Sequence, residues 1–150
     1  MASALPGWIK QYGSSNYEVS QGVAIDPNGT IWTATTGRYL MDGQSKSNDA
    51  DNYIISFNAD GSVAKTINAG PIRSQIICGI TSTNNAIYVG GQTIASSLDG
   101  QTNSWGKTSY VTAYDLNGTK LWTRLLSGYT GARSITSDST GIYLAGFTYG

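Results

Sequence analysis

The chain repeats itself, and that repeat limits its fold more than any other feature. The stretch from Tyr53 to Lys65 returns as Tyr110 to Trp122. Tyr53 aligns with Tyr110, Phe57 with Tyr114 and Gly61 with Gly118, each 57 residues apart. Each copy reads as a β-hairpin: apolar and polar side chains alternate, an Asp60-Gly61 or Asn117-Gly118 turn follows, and a return strand begins. A second pattern occurs three times. It aligns Val23, Ile80 and Ile135, then Ile31, Ile87 and Ile142, then Trp32, Tyr88 and Tyr143. Trp8 and Trp122 lie 114 residues apart, two periods of 57. Such self-similarity marks an array of one supersecondary unit, in which each copy buries its apolar face on the next.

One repeat holds four short strands: A (22–26, 78–82, 133–137), B (30–35, 86–92, 141–148), C (52–58, 109–115) and D (62–68, 119–126). Residues 8–12 match a further D strand. The expected fold is all-β: a β-propeller built of four-stranded antiparallel blades, with two whole blades plus partial blades in this chain. A β-sandwich is the alternative. Residues 1–7 read as an N-terminal tail and 8–150 as the repeat segment, divided at 8–65, 66–121 and 122–150. Propellers hold at least about four blades, and open strand edges invite pairing. The expected partner is therefore further copies of the chain, as a homo-oligomer, or the remaining blades of a longer propeller.

Composition removes several function classes. Nine basic residues balance nine acidic ones, so there is no basic stripe for nucleic acid and no charge to draw the chain to an anionic bilayer. No apolar run is long enough for membrane insertion, and residues 1–7 have no signal-peptide pattern. Only 12% of residues are charged, and Gly, Ser, Thr, Asn and Tyr fill the polar roles, as is common in secreted bacterial β-proteins. Location is otherwise unreadable. The lone Cys78 excludes an intrachain disulfide and is expected as a small core residue. The chain has no His, which removes the commonest general base. No phosphate loop or nucleophile elbow occurs, and Gly90-Gly91 falls inside a strand. The expectation is a non-enzymatic protein without a cofactor. A hydrolase or lyase using Glu18, the only Glu, with a loop Asp is kept as an alternative; it needs two carboxyls about 5–10 Å apart.

The A–B and C–D turns are short, whereas the B–C loops (37–51, 94–108) and the D–A loops are longer. In a propeller the B–C and D–A loops share one face, and long loops are where function concentrates. The candidate ligand-binding residues are Tyr17, Glu18, Arg38, Arg73, Asp99, Asn103, Trp105, Tyr129 and Arg133. Sugars and proteins both bind on Tyr and Trp surrounded by Asn and Ser, so a glycan or a protein is the expected ligand. The competing reading packs aromatics between blades, as expected for Trp32, Tyr88, Tyr143 and Trp122. Asp42, Asp49 and Asp51 crowd one loop and are weak metal candidates. They lack calcium-loop spacing and have Lys46 among them, so a repeated Asp-Gly turn explains Asp42-Gly43 and Asp99-Gly100 better.

Segments 98–103, 110–124, 23–29 and 143–148 together resemble the bacterial SBBP (β-propeller) repeat, and the resemblance runs from Trp8 to Gly150. It implies multi-bladed propellers, often in secreted or surface proteins, with no shared catalytic activity. That family carries one acid in the D–A loop and another just before strand C. Glu18 and Asp51 fit; Gln75 and Thr130, then Thr108, replace them in the later copies. The expected function is a binding or scaffold module that meets its ligand through the B–C and D–A loop face, with a carbohydrate-binding, lectin-like module as the alternative.

Overall fold

Alternating side chains and closely spaced turns fold this chain into successive antiparallel meanders. The computed structural model describes residues 9–13, 17–37, 51–71 and 75–149. Strands β1 (Glu18–Ile25), β2 (Ile31–Gly37), β3 (Asp51–Phe57) and β4 (Val63–Pro71) form one sheet in the order β1-β2-β3-β4. Strands β5 (Gln75–Ser82) and β6 (Ala86–Thr93) begin the second. A small hairpin, β7 (Ser97–Leu98) with β8 (Gln101–Thr102), then interrupts the chain. Strands β9 (Thr108–Asp115) and β10 (Lys120–Leu125) complete that sheet in the order β10-β9-β6-β5. Strands β11 (Thr130–Ser137) and β12 (Ile142–Thr148) form a separate hairpin. The protein is all-β, with no helix among the described residues.

The expected strands A to D thus appear as four-stranded sheets, twice over. The strand expected at 8–12 does not form. Residues 9–13 carry no strand, and Trp8 lies outside the described residues. A strand exists through its ladder, and no described strand pairs with this segment. Tyr12 instead docks its ring edge-on against Phe57, with centroids 5.5 Å apart. The small hairpin β7–β8 is absent from the sequence reading.

The hairpin turns rest on side-chain caps. Asp115 N donates to Thr119 O at 2.9 Å, and Gly118 N to Asp115 O at 2.9 Å. Only Gly118 in this turn has a positive φ, +80°. This is a type I turn closed by a left-handed glycine, in place of a two-residue hairpin turn. The Asp115 carboxylate accepts from the Asn117 and Thr119 amides at 2.9 and 2.8 Å. Asp26 does the same for Asn28 and Thr30, and also accepts from the buried Trp32 Nε1 at 3.0 Å. Gly118 is doubly required, because a Cβ there would stand 2.5 Å from Ile67 Cδ1 of the neighbouring sheet.

The main core lies between the two sheets. Trp32, Ala34 and Ile54 from the first meet Ile77, Ile80, Ile87, Val89 and Tyr114 from the second, with Ala24, Ile67, Ala69 and Leu116 packed alongside. Each fully buried Ile contributes roughly 1.5–3 kcal/mol. The strands that begin each unit touch in series, β1 on β5 and β5 on β11. Each carries one bulge, between Ser20 and Gly22, between Ile77 and Gly79, and between Ala132 and Ser134. Gln21, Cys78 and Arg133 are the extra residues. Of the aromatics expected between units, Trp32 is buried. Tyr88 tilts against Trp122 with centroids 6.0 Å apart, both half-buried. Tyr143 departs from that expectation: it is 48% exposed and bonds through its hydroxyl to Thr140 and Asp138.

Candidate binding surface

The second sheet and the β11–β12 hairpin bring their loop ends together in one seam. The β8–β9 loop supplies Trp105 and Lys107, the β10–β11 loop supplies Tyr129, and the end of β12 supplies Phe147 and Tyr149. Backbone bonds hold the seam: Thr130 N to Lys107 O at 3.2 Å, and Tyr149 N to Tyr129 O at 3.1 Å. Tyr149 meets Tyr129 and Phe147 edge-on at 5.3 and 5.4 Å between centroids. Two cations flank the same ring, with Lys107 Nζ 5.2 Å and the Arg133 guanidinium 5.3 Å from the Phe147 centroid. Such contacts stabilise by about 0.5–1 kcal/mol at an exposed site. Trp105 and Tyr149 are exposed at 55% and 66%, and Tyr129 at 41%. Of the sequence candidates, Trp105, Tyr129 and Arg133 therefore belong to one region.

Asn103 ties together the backbone of the loop that carries Trp105. Its backbone amide donates to Ser96 O at 2.8 Å. Its side-chain amide donates to Ala95 O at 2.9 Å and Gly106 O at 3.2 Å, and its carbonyl accepts from Trp105 N at 3.0 Å. The residue is buried, so its side chain shapes the loop from within. Thr108 closes the base of the same loop by donating to Leu126 O at 2.5 Å, and Thr130 Oγ1 accepts from Ser109 N at 2.8 Å.

Asp99 has a different role. It sits at the β7–β8 tip with φ +47°, followed by Gly100 at +77°, the two positive values of a type I′ turn. Its carboxylate accepts from Lys120 Nζ at 2.8 and 2.9 Å and from the Thr123 hydroxyl. Gln101 Nε2 donates to Thr123 O at 2.6 Å. The small hairpin thereby covers the edge strand β10, which would otherwise present free backbone groups. Partial burial opposes ionisation of Asp99, but the hydrogen bonds from Lys120 and Thr123 outweigh it and hold its carboxyl below the ordinary range.

The remaining candidates lie apart. Tyr17 is 66% exposed at the start of the first sheet. Glu18 lines a groove of about 310 Å³ with Lys10, Tyr12, Ser20, Ile31 and Phe57, and is the only carboxylate lining it among the described residues. Asp51 is fully buried and accepts from Asn68 Nδ2 at 2.8 Å, while the neighbouring Asn52 donates to Gln75 O at 3.0 Å. Arg38, Arg73, Asp42 and Asp49 lie outside the described residues. Among the described residues no three His, Cys, Asp or Glu side chains gather as a metal site.

Burial pushes the Cys78 thiol up to about 11, against smaller opposing pulls from a backbone hydrogen bond and from the Arg133 charge. Burial also raises Tyr114 to about 12, aided by the Asp99 charge. Lys107 and Phe147 were absent from the sequence candidates. Phe147 reads as an ordinary strand residue, and Lys107 as a loop charge. The signal that joins them is the repeat itself, which pairs the end of each B strand with the start of the A strand before it. No known protein-family model matches this chain, and no curated protein matches it in sequence.

Proposed function

We propose that this chain is a run of β-propeller blades of the SBBP type, acting as a non-enzymatic binding or scaffold module through its B–C and D–A loop face. The single observation that carries the reading is the seam of exposed Trp105, Tyr129 and Tyr149 beside Lys107 and Arg133. Exposed aromatic faces give a ligand apolar area at low entropic cost, and the two cations add a preference for negative charge. The order of strands in each sheet, and the serial contact of β1, β5 and β11, support the blade reading. A glycan is the second reading, favoured because the exposed Trp105 and Tyr149 rings offer stacking faces. A hydrolase or lyase built on Glu18 has less support, since its groove brings no second described carboxylate to it.

The test is titration of the whole chain against neutral oligosaccharides, uronic-acid oligosaccharides and acidic peptides, repeated with Trp105→Ala/Tyr149→Ala. Binding to one class that drops at least about tenfold in the double variant is the expected result; tenfold corresponds to 1.4 kcal/mol. Binding that the double variant leaves unchanged places the ligand elsewhere and removes this surface. Binding to none of the three classes removes the anionic and glycan readings together.

A further inference from the structure

We propose that two copies of this chain associate head to tail, through a third occurrence of a contact that each chain already makes twice within itself. The repeated contact is a knob set on small residues. Ile80 of β5 lies over Gly22 of β1, with its Cγ2 3.3 Å from where a glycine Cβ would stand. Ile135 of β11 lies over Gly79 and Gly90, at 3.1 Å from each such position. The repeat aligns Val23 with these two knobs. It aligns Ser134 and Ala145 with the small residues Gly79 and Gly90 that receive one of them.

A hydroxyl bond accompanies each internal contact. Ser82 Oγ donates to Ile25 O at 2.7 Å, and Ser137 Oγ donates to Ser82 O at 2.9 Å. The equivalent donor position beside Val23 is Ile25, an apolar residue.

The two knobs used internally are 6% and 8% exposed, whereas Val23 is 64% exposed and Ile25 63%. At the opposite end Ser134, Thr136 and Ala145 are exposed, together with Tyr143. One end of the chain thus presents an unused knob, and the other an unused seat of small residues. Both were shaped by the same repeat. A second copy of this chain supplies the missing half at each end, and continuity with the internal interface makes it the occupant. Such a contact is heterologous, because it joins two different surfaces. Burying Val23 and Ile25 there would remove the largest exposed aliphatic pair on β1 from water, a favourable change that grows with the apolar area covered.

This inference rests on the repeated contact and not on the loop-face reading, so either can fail alone. The heterologous geometry gives its own test. Mass is measured by light scattering after size exclusion over a range of concentrations, for the whole chain and for Val23→Asp, Ala145→Arg and Ser134→Lys. All three substitution sites are exposed, and circular dichroism checks that each variant retains its β fold.

The wild-type chain is expected to gain mass with concentration, and each variant alone to do so far less. Mixing Val23→Asp with Ala145→Arg should restore a 1:1 dimer and nothing larger, because each partner keeps one intact end. A wild-type chain that stays monomeric throughout overturns the proposal. Loss of association in Val23→Asp with none in Ala145→Arg or Ser134→Lys also overturns it, because that pattern means a symmetric contact between two Val23 faces. If Ala145→Arg fails to fold, Ser134→Lys takes its place in the mixture.

Discussion

The two four-stranded sheets have the same meander and the same bulge in their first strand, yet they treat equivalent residues differently. The second sheet is packed on both faces, by the first sheet on one side and by the β11–β12 hairpin on the other. The first sheet has the second against one face; on the other, among the described residues, Tyr12 packs with Tyr53, Ile55, Phe57 and Val63. Val23 and Ile80 occupy the same repeat position, but the first is exposed and the second is core. The difference shows that position in the repeat sets which way a side chain points, and the neighbour decides whether pointing that way stabilises anything.

The corners where the loops join the third strands show the same lesson in polar chemistry. In the first sheet Asp51 receives the Asn68 amide. One repeat later the pair becomes Thr108 and Leu125, and the Thr108 hydroxyl turns to the Leu126 carbonyl instead. Both positions are fully buried. Acid and amide changed together because a buried carboxylate needs donors.

Three tests break or sharpen this comparison. The largest effect belongs to Thr108→Asp, which puts the first sheet's acid into a corner whose Asn68 counterpart is Leu125. An uncompensated buried charge costs about 3–5 kcal/mol, so urea denaturation should show a loss of that order. A loss under about 1 kcal/mol would mean that the corner admits water and that the Asp51–Asn68 pairing is not what distinguishes the sheets.

Next comes the aligned pair of knobs. Ile80→Ala should cost about 2–5 kcal/mol. Val23→Ala, measured at the lowest workable protein concentration, should stay within about 0.5 kcal/mol. Equal losses at the two positions would show that the outward face of the first sheet is covered within the monomer.

The smallest effect separates two bulge residues, Gln21 and Cys78. Burial raises the Cys78 thiol from its ordinary 9.0 to about 11. The fold thus favours the neutral thiol. Its contribution is complete below pH 9.0 and is lost as pH rises toward and through about 11. Cys78→Ala should flatten the decline in stability across that window, while Gln21→Ala should leave it alone. Matching slopes in the wild-type chain and Cys78→Ala would assign the decline to other groups, with the raised Tyr114 the first to examine.

Much of the architecture was legible in the order of residues. The alternation at 53–57 and 110–114 gave strands, and the Asp60-Gly61 and Asn117-Gly118 pairs gave their turns, because both depend on neighbours within a few positions. The turn type was less legible: Asn117-Gly118 suggests two left-handed residues, and only Gly118 adopts that conformation. The segment at 8–12 has a strand's pattern but no ladder, since pairing depends on a partner that pattern alone cannot supply. Of the candidate site, Trp105, Tyr129 and Arg133 were legible as loop or loop-edge residues in a repeat. The inward turn of Asn103 was not, nor was the engagement of Asp99 with β10. Both follow from hydrogen bonds to residues brought near only by folding.

The amino-acid sequence by itself determined the repeat, the number of strands in each unit, and the alternation that gives every side chain its face. These are local properties, fixed by periodicity and by turn residues such as Gly118. Tertiary structure alone decided which of three equivalent knobs became core, and it gathered Trp105, Lys107, Tyr129, Phe147 and Tyr149 into one seam. It also decided that a two-strand hairpin should cover the β10 edge. Burial and clustering are properties of pairs of surfaces, and a surface meets its partner only when the chain has brought distant segments together.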